Sequence, residues 1–483
     1  MEKLLNELSV EGRIGYSLPE LDVEEKELSE LIPVKYISDS KPALPELSEP
    51  EIARHFINMS ISNHHIDKGF YPLGSCTMKY NPKLNETVSR LPGFSAIHPH
   101  QHESSIQNGL KLLYDLEKSL CTLTGMDAFT LQPAAGSQGE LTGIMIMRKY
   151  HSANGNPRKK VLIPDSAHGT NPASVVISGY ESVPVVSDER GLVDVDDLSS
   201  KLDEEVAGMM ITNPNTLGLF EERILEVSKM IHDAGALLYL DGANFNALAA
   251  SLKPSDMGFD ITHLNLHKTF STPHGGGGPG SGPLGVVNSL AKYLPVPRVR
   301  LQNGKYSLDY DFPDSIGRVH GFYGNFGVLV RAYAYIKLLG YDGFKAVSKN
   351  AIINANYLKA LISDKYSVPF SQHCMHELVI SASEQKNRGV KAGDIVKRLL
   401  DFGVHAPTVY FPLIVKEALM IEPTESESKS SIENFVNIMK QIDEEIDTDP
   451  EMLKKAPYNT PVRRLDEAKA VRQLRITWDA VGE

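Results

Sequence analysis

Short apolar runs alternate with helix-like runs through the middle of the chain, and this alternation limits the folds that the sequence can adopt. Between residues 161 and 266 the apolar runs are four to seven residues long, and helical patterns at 195–202 and 224–234 separate some of them. Runs of this length that alternate with helices predict a mostly parallel sheet, so the predicted class is α/β. The predicted strands are residues 161–164, 183–186, 206–212, 236–240 and 261–266, with 283–287 as one more apolar run.

The first hundred residues have a different pattern. Nine prolines lie between Pro19 and Pro99. Each proline removes a backbone donor and restricts the residue before it, so the segment disfavours long helices. The pattern predicts an extended arm with one short helix at 51–59, and such an arm must lie on something else, for example a partner subunit.

The last third of the chain predicts a second, smaller α/β section. Helical patterns at 326–339 and 345–362 are followed by short apolar runs at 378–381 and 404–409. A chain of 483 residues has room for about three units of roughly 150 residues each. We therefore predict an arm over residues 1–104, a large domain over 105–324 and a C-terminal domain over 325–483. Further helices are predicted at 106–123, 138–150 and 432–445.

Charge and cysteine content narrow the classes of partner. The chain has 49 Lys+Arg against 61 Asp+Glu, a net charge of −12, which argues against a broad nucleic-acid surface. The N-terminus lacks the apolar core of a signal peptide, and no stretch has the apolar length of a membrane span. Three cysteines without CxxC spacing suggest free thiols in a reducing compartment. These features predict a soluble, cytoplasmic protein.

Chemically active side chains follow four of the predicted strands. They are His168, Asn215, Asp241 and Lys268. In parallel sheets ligands bind beyond the carboxyl ends of the strands, so these groups are expected at one edge. The set suits a cofactor with one phosphate, a protonated ring nitrogen and an aldehyde, as pyridoxal 5′-phosphate has. Lys268 would bond to the aldehyde, Asp241 would keep the ring nitrogen protonated, and His168 would stack on the ring.

A small-residue turn at 134–139 leads into the helix predicted at 138–150. A helix N-terminus with close backbone access can bind the phosphate of such a cofactor. The turn alone also fits a tight connection that simply needs small residues, because glycine turns are common.

Three other motifs have alternative interpretations. The run 274–278 resembles the oxyanion turn of esterases, but the chain has no GxSxG nucleophile motif. The run 280–285 satisfies GxGxxG, but an apparent strand follows it, so it predicts a loop bordering the cofactor rather than a dinucleotide site. His98, His100, His102 and Glu103 alternate like a strand with the histidines on one face. They could ligate a metal, although we favour a substrate-channel or interface role and predict no metal site.

Five segments of the chain resemble segments of one known protein family. They are residues 71–82, 132–140, 165–173, 212–218 and 263–280. Together they closely resemble glycine dehydrogenase (decarboxylating), the P-protein of the glycine cleavage system, over nearly the whole chain. Some members of this family are one polypeptide with two similar halves, and others have the halves as separate subunits. The chain resembles subunit 2, the half that carries the lysine.

The resemblance implies a fold, a reaction and partners. The fold would be that of fold-type-I pyridoxal-phosphate enzymes, similar to aspartate aminotransferase. The reaction would be decarboxylation of glycine with release of carbon dioxide and transfer of the aminomethyl group to the lipoyl group of H-protein, with no nicotinamide on this chain. Subunit 1 would complete a heterotetramer of two subunit types. The enzyme would be an oxidoreductase of glycine catabolism.

The resemblance also implies roles for individual residues. Lys268 and His168 would be catalytic, and Asp241 would bind the ring nitrogen. Asn215 would lie near the phenolic oxygen and Ala243 beneath the ring. The phosphate would contact Gly136, Ser137, Gln138 and His267. The group that anchors the carboxylate of glycine is not identified; Arg318 and Arg54 are candidates.

Two other functions are compatible with the sequence. The chain could be a scaffold half that has lost its chemistry, although Lys268 with Asp241 and His168 argues against this. It could also be another lyase or transferase with the same cofactor, such as a cysteine desulfurase. Cys76 could be a reactive thiol, but a small buried hydrophobic residue is the more common fate of cysteine.

Overall fold

The computed structural model describes residues 2–40, 42–274, 280–474 and 476. The contacts divide the chain into two units, one of Met1–His65 with Tyr458–Glu483 and one of Ile66–Pro457. The domain boundaries predicted at residues 104 and 324 stay predictions. No helix among the described residues is long and apolar enough to cross a lipid bilayer.

A seven-stranded sheet forms the centre of the Ile66–Pro457 unit. Its strand order is β1-β7-β6-β5-β4-β2-β3. Neighbours among β2 to β6 are parallel, and β7 runs antiparallel to both β6 and β1. This confirms the predicted α/β class with a mostly parallel sheet. The strands are β1 (Ala128–Thr130), β2 (Lys160–Pro164), β3 (Glu181–Val185), β4 (Val206–Thr212), β5 (Leu237–Gly242), β6 (Ile261–Leu264) and β7 (Leu284–Val286).

The apolar runs form strands because helices cover both faces of this sheet. Every residue of β4 and β5 is buried. A parallel strand covered on both faces is continuously apolar rather than alternating, which is why these runs were recognisable in the sequence. The helices of the chain are α1 (Leu5–Leu8), α2 (Leu28–Leu31), α3 (Glu49–Ser62), α4 (Lys83–Ser89), α5 (Pro92–Ser95), α6 (Gln107–Thr124), α7 (Gly136–Ala153), α8 (Thr170–Ile177), α9 (Val195–Lys201), α10 (Ile224–Asp233), α11 (Phe326–Ile362), α12 (Ser383–Asn387), α13 (Ala392–Asp401), α14 (Lys429–Thr448), α15 (Pro450–Lys455) and α16 (Glu467–Arg472).

A second, three-stranded sheet lies in the C-terminal third, with the order β10-β12-β11 and antiparallel pairing. The buried side chains Leu358 of α11, Ile395 of α13 and Phe435 of α14 share a hydrophobic core with it. The sequence predicted β10 and a run, 404–409, that contains β11 and is longer than it, but it missed the central strand β12. It also missed the β8–β9 hairpin. The strands are β8 (Arg298–Gln302), β9 (Lys305–Asp309), β10 (Leu378–Ser381), β11 (Thr408–Val409) and β12 (Ala418–Ile421).

The two helices predicted at 326–339 and 345–362 are joined as α11. Gly340 interrupts the helical geometry with φ 59° and ψ −168°, a conformation that essentially only glycine adopts. The predicted break is therefore real, but it is one residue rather than a loop.

Two features of the N-terminal third differ from prediction in extent or type. The predicted helix at 51–59 is confirmed and is longer, because Ser48 and Glu51 form a capping box at the start of α3. The strand alternation predicted for 98–103 is wrong. This segment consists of turns that end in a 3₁₀ helix at Glu103–Ser105, and the Nδ1 atom of His102 accepts the N–H of Ser104. The three histidines therefore do not share a strand face.

Candidate active site

The carboxyl ends of β4, β5 and β6 bring the predicted groups together. Thr212 pairs with Asp241 in register, and Asp241 pairs with His263 on the next strand. Lys268 follows the end of β6, and its ammonium influences the pKa of both Asp241 and His168. The structure thus gathers Asp241, His168 and Lys268 at one edge of the sheet, as the sequence predicted.

Asp241 is a buried carboxylate held by several partners. Its Oδ2 atom accepts a hydrogen bond from Nδ2 of Asn171 at 3.0 Å, and its Oδ1 atom accepts the N–H of Ala243 at 2.9 Å. Burial raises the pKa of Asp241, but the charge of His263 and the hydrogen bond from Asn171 lower it below its ordinary value. The carboxylate is therefore ionised at neutral pH, as a partner for a protonated ring nitrogen must be.

Behind Asp241 lie two groups that the sequence did not predict. Nε2 of His263 is 3.2 Å from Oδ1 of Asp241. Glu140 of α7 lies beside them and accepts hydrogen bonds from the hydroxyls of Thr170 (2.9 Å) and Ser174 (3.2 Å). Burial and the charge of Asp241 raise the pKa of Glu140. His263 lies inside a strand rather than after it, so only the register of β5 against β6 reveals it.

Lys268 is 6% exposed and lies in a tight loop. Its N–H donates to the carbonyl of Asn265 at 3.1 Å, and its carbonyl accepts the N–H of Ser271 at 3.3 Å. The buried ammonium of Lys79 donates to the carbonyl of the next residue, Thr269, at 3.2 Å. The loop thus holds a buried amine beside the ionised Asp241.

His168 lies at the open side of the site. It is exposed, its Nδ1 atom lies 3.0 Å from the hydroxyl of Thr170, and its ring meets Phe411 edge-on with centroids 5.8 Å apart. Partial enclosure and the charge of Lys268 lower its pKa, so the imidazole is neutral at pH 7. A neutral ring can stack on a cofactor without a charge penalty.

The turn before α7 is built for close backbone approach. A side chain at Gly136 would collide with the amide of Asn265, whose Oδ1 atom is buried without a hydrogen-bond partner in the described part of the chain. The helix begins at Gly136 with no side-chain cap, and Ser137 is exposed at its first turn. The amide of Gln138 is engaged in the turn, where it accepts the N–H of Ala134 and donates to the carbonyl of Val319. The first turn of the helix therefore has no side-chain cap, which leaves its N–H groups available to an anion.

His267 and the loop after it border the same region. The ring of His267 meets that of His274 edge-on with centroids 4.5 Å apart. Burial and the charge of Lys268 lower the pKa of His267 to about 3, so it is neutral. The esterase-like run at 274–278 falls almost entirely outside the described residues. Gly282, in the GxGxxG run, donates its N–H to the carbonyl of Pro133, which places that run beside the turn before α7.

The other predicted positions differ in how well the structure supports them. Ala243 is buried next to Asp241. The amide of Asn215 serves its own turn, because it donates to the carbonyl of Gly191 and accepts the N–H groups of Leu217 and Leu219. Its role at a phenolic oxygen stays a prediction.

The two arginines suggested as carboxylate anchors lie in different units. The guanidinium of Arg318 lies over the rings of Tyr310 and Tyr323, 5.7 and 6.0 Å from their centroids. Arg54 lies in α3, in the other unit.

A second buried cluster flanks Lys268 and was not predicted. His376, Glu377 and Glu422 are all 0% exposed, and one side-chain nitrogen or oxygen atom from each lies within 4.8 Å of the other two. The charge of Lys268 acts on all three. Glu377 precedes β10 and Glu422 follows β12, so the antiparallel register of these strands places them side by side.

The described residues fit a pyridoxal 5′-phosphate cofactor. The site has a buried amine at Lys268, a buried ionised carboxylate at Asp241 and, at Gly136, a helix N-terminus that has no side-chain cap and no room for a side chain. These three groups correspond to an aldehyde, a basic ring nitrogen and one phosphate.

Two family models match this chain, and both describe the same enzyme. Residues 21–302 match the family model of the glycine cleavage system P-protein, and residues 347–461 match that of the glycine dehydrogenase C-terminal domain. A curated relative from Chloroherpeton thalassium, named probable glycine dehydrogenase (decarboxylating) subunit 2, is 57% identical over 99% of this chain and 98% of its own length.

Solved structures show the same fold at low identity. A glycine decarboxylase (P-protein) of the glycine cleavage system, in inhibitor-bound form, superposes with a TM-score of 0.73 at 17% identity, over 86% of this chain and 94% of that one. A cysteine desulfurase from Thermococcus onnurineus NA1 superposes with a TM-score of 0.62 at 14% identity, over 78% and 95%. The fold alone therefore does not separate the two activities, but the sequence matches do. The chain belongs to the glycine cleavage system P-protein family.

Proposed function

We propose that this chain is the lysine-bearing subunit of a glycine dehydrogenase (decarboxylating) and uses pyridoxal 5′-phosphate. It removes the carboxylate of glycine as carbon dioxide and passes the aminomethyl group to the lipoyl group of H-protein. The observation that carries the proposal is the buried amine of Lys268 within electrostatic reach of the ionised Asp241. The name of the 57% identical relative supports the substrate.

When bound, the cofactor supplies an electron sink for the electron pair left on the α-carbon as carbon dioxide departs. Asp241 would hold the proton on the ring nitrogen, because its carboxylate stays ionised and buried. The first turn of α7, at Gly136, Ser137 and Gln138, holds the phosphate with backbone N–H groups. Neutral His168 would pack against the cofactor ring.

The chain acts with partners. The word subunit in the name of the relative supports a second subunit, and we propose a heterotetramer of two subunit types that works in the cytoplasm. Lipoylated H-protein is the acceptor. We propose no nucleic-acid partner and no membrane partner. The net charge of −12 is unfavourable for binding nucleic acid.

The thiols argue against a cysteine desulfurase. A desulfurase needs a reactive cysteine, and reactive thiols have a lowered pKa. Burial raises the pKa of Cys76, and it raises the pKa of Cys121 and of Cys374 to about 11. These are the three cysteines of the chain, so the surroundings of each favour the unreactive thiol.

The test has two stages. The chain reconstituted with pyridoxal 5′-phosphate is expected to show the visible band of the lysine-bound cofactor, and Lys268→Ala is expected to remove it. Lys229→Ala is the matched control, because its side chain is 74% exposed on α10. The chain with subunit 1 and lipoylated H-protein is then expected to exchange labelled bicarbonate into the carboxyl group of glycine. A band that survives Lys268→Ala, or no exchange by the full system, would refute the proposal.

A further inference from the structure

The strongest unexplained feature of the site is the cluster of His376, Glu377 and Glu422 beside Lys268. Two carboxyl groups and an imidazole without solvent exposure are costly unless they share protons or bind a ligand. Both ring nitrogens of His376 and the Oε1 atom of Glu377 have no hydrogen-bond partner within the described part of the chain. Of these atoms, Nε2 of His376 and Oε1 of Glu377 face each other at 3.5 Å, and Nδ1 of His376 is a position that the fold itself does not use.

A strained loop holds the two carboxyl groups in place. Glu377 accepts the N–H of Ser75 at 2.6 Å through Oε2, and Glu422 accepts the N–H of Thr77 at 2.8 Å through its own Oε2. Ser75 and Thr77 both have positive φ, 61° and 47°. Such strain in residues other than glycine is characteristic of functional sites, where the surrounding structure enforces it. Oε1 of Glu377 has no hydrogen-bond partner in the described part of the chain, and Oε1 of Glu422 accepts only a long hydrogen bond, 3.5 Å, from Nδ2 of Asn246.

The charges around the cluster favour one proton between the two carboxyl groups. Burial and the charge of Glu422 raise the pKa of Glu377 well above its ordinary value, and burial raises that of Glu422 to about 7. Lys268 opposes both shifts, while Glu425 adds to that of Glu422. Burial and the charge of Lys268 lower the pKa of His376 to about 3, so the imidazole is neutral. Near pH 7 to 8 the pair holds one proton and has one free base position.

We propose that Glu377 and Glu422, with neutral His376 beside them, take a proton from the ammonium group of incoming glycine and pass it to Nζ of Lys268. The inference rests on the proposed function, since it concerns glycine at that site. An N–H bond of the ammonium breaks, its electron pair stays on nitrogen, and an O–H bond forms on a glutamate. That O–H bond then breaks as an N–H bond forms on the freed amine of Lys268. No proton is gained or lost overall, so the cluster changes rates and not the equilibrium.

Glutamine variants separate this role from a structural one. Glu377→Gln and Glu422→Gln keep an oxygen that can accept the N–H of Ser75 or Thr77, but an amide cannot take up a proton at neutral pH. Glu221→Gln is the matched control. Glu221 is 2% exposed, its burial raises its pKa, and it accepts the N–H groups of Val193 and Arg223.

The experiment uses the full enzyme loaded with cofactor, mixed rapidly with glycine at pH 8, and follows the visible band. Each glutamine variant is expected to slow the forward and reverse phases by about 100-fold or more while the dissociation constant of glycine changes less than threefold. Added formate or acetate is expected to speed Glu422→Ala, and Glu221→Gln is expected to match the wild type. Rates within twofold of wild type in both glutamine variants would overturn the proposal. Equal losses in rate and affinity would also overturn it.

A second measurement concerns the cofactor-free chain. Infrared titration is expected to show a protonated carboxyl band that persists above pH 7 and is reduced in each glutamine variant. Absence of this band in the wild type would overturn the proposal independently of glycine. If the loaded wild-type enzyme gives no spectral response to glycine at all, the proposed function fails and this inference falls with it.

Discussion

Nε2 of His263 lies 3.2 Å from Oδ1 of Asp241, and both side chains are buried. The other ring nitrogen, Nδ1, is 3.0 Å from the hydroxyl of Tyr239, which also donates to the carbonyl of Gly139 at 3.3 Å. The hydroxyl of Tyr239 thus links the imidazole to the backbone of α7. The imidazole is thereby oriented with Nε2 toward the carboxylate, and its charge lowers the pKa of Asp241.

Replacing His263 is expected to weaken cofactor binding. In His263→Asn the carboxylate of Asp241 loses the neighbour that lowers its pKa, and since one pKa unit corresponds to a factor of ten, the affinity for pyridoxal 5′-phosphate should fall roughly tenfold. An absorbance titration of the cofactor-free chain measures this. His232→Asn is the control, because Nε2 of His232 lies 2.9 Å from Oδ2 of Asp260 in a similar but more exposed pair. Equal affinities in His263→Asn and wild type would contradict the role given to His263.

A second prediction concerns Gly136 and the phosphate of the cofactor. In Gly136→Ala the new methyl group collides with the amide of Asn265, so the turn before α7 must shift. Binding of pyridoxal 5′-phosphate should weaken at least tenfold, while binding of pyridoxal, which lacks the phosphate, should change little. Gly93→Ala serves as the comparison, since nothing lies within 4 Å of its added methyl group. If both ligands weakened equally, the turn would not be the phosphate site.

The sequence predicted the groups that follow buried parallel strands, but not those that depend on strand register. His168, Asp241 and Lys268 come after continuous apolar runs, which mark strand ends directly. Glu377 and Glu422 lie 45 residues apart in the chain. They meet only because Leu378 pairs with Ile421 in the β10–β12 ladder. Since β12 was not recognised as a strand, no local pattern could place Glu422 beside Lys268.

The raised pKa of Glu422 predicts a pH dependence of stability. Its pKa is about 7 in the folded chain against 4.5 ordinarily, so the folded state binds more protons than the unfolded state between these values. The stability is therefore fully present below about pH 4.5 and declines as the pH rises through 7. Glu377, whose pKa is also raised, adds to the same trend.

Glu422→Gln removes one of these titrations. The melting temperature of the cofactor-free variant minus that of the cofactor-free wild type should increase as the pH is raised from 5 to 8. The two melting temperatures should be most similar at pH 5. Thermal unfolding at half-unit pH intervals measures the difference. Parallel curves over this range would show that Glu422 is ionised in the folded chain throughout.

Among single substitutions near the site, removal of one member of the buried pair of Lys79 and Glu425 is expected to cause the largest loss of stability. Nζ of Lys79 lies 2.7 Å from Oε1 of Glu425 and 3.2 Å from both the hydroxyl of Tyr335 and the carbonyl of Thr269. Although burial alone lowers the pKa of Lys79, the charge of Glu425 raises it above its ordinary value, so the ammonium is charged.

Lys79→Met leaves the carboxylate of Glu425 without its counter-charge and frees the carbonyl of Thr269, next to Lys268. Removal of one member of a buried ion pair costs about 3–5 kcal/mol, and replacing both members can be nearly neutral. The double variant Lys79→Met/Glu425→Gln should therefore recover much of the loss. Urea unfolding of the cofactor-free chain measures both changes. A double variant no more stable than Lys79→Met would mean that the loss comes from the contacts to Tyr335 and Thr269 rather than from the stranded charge.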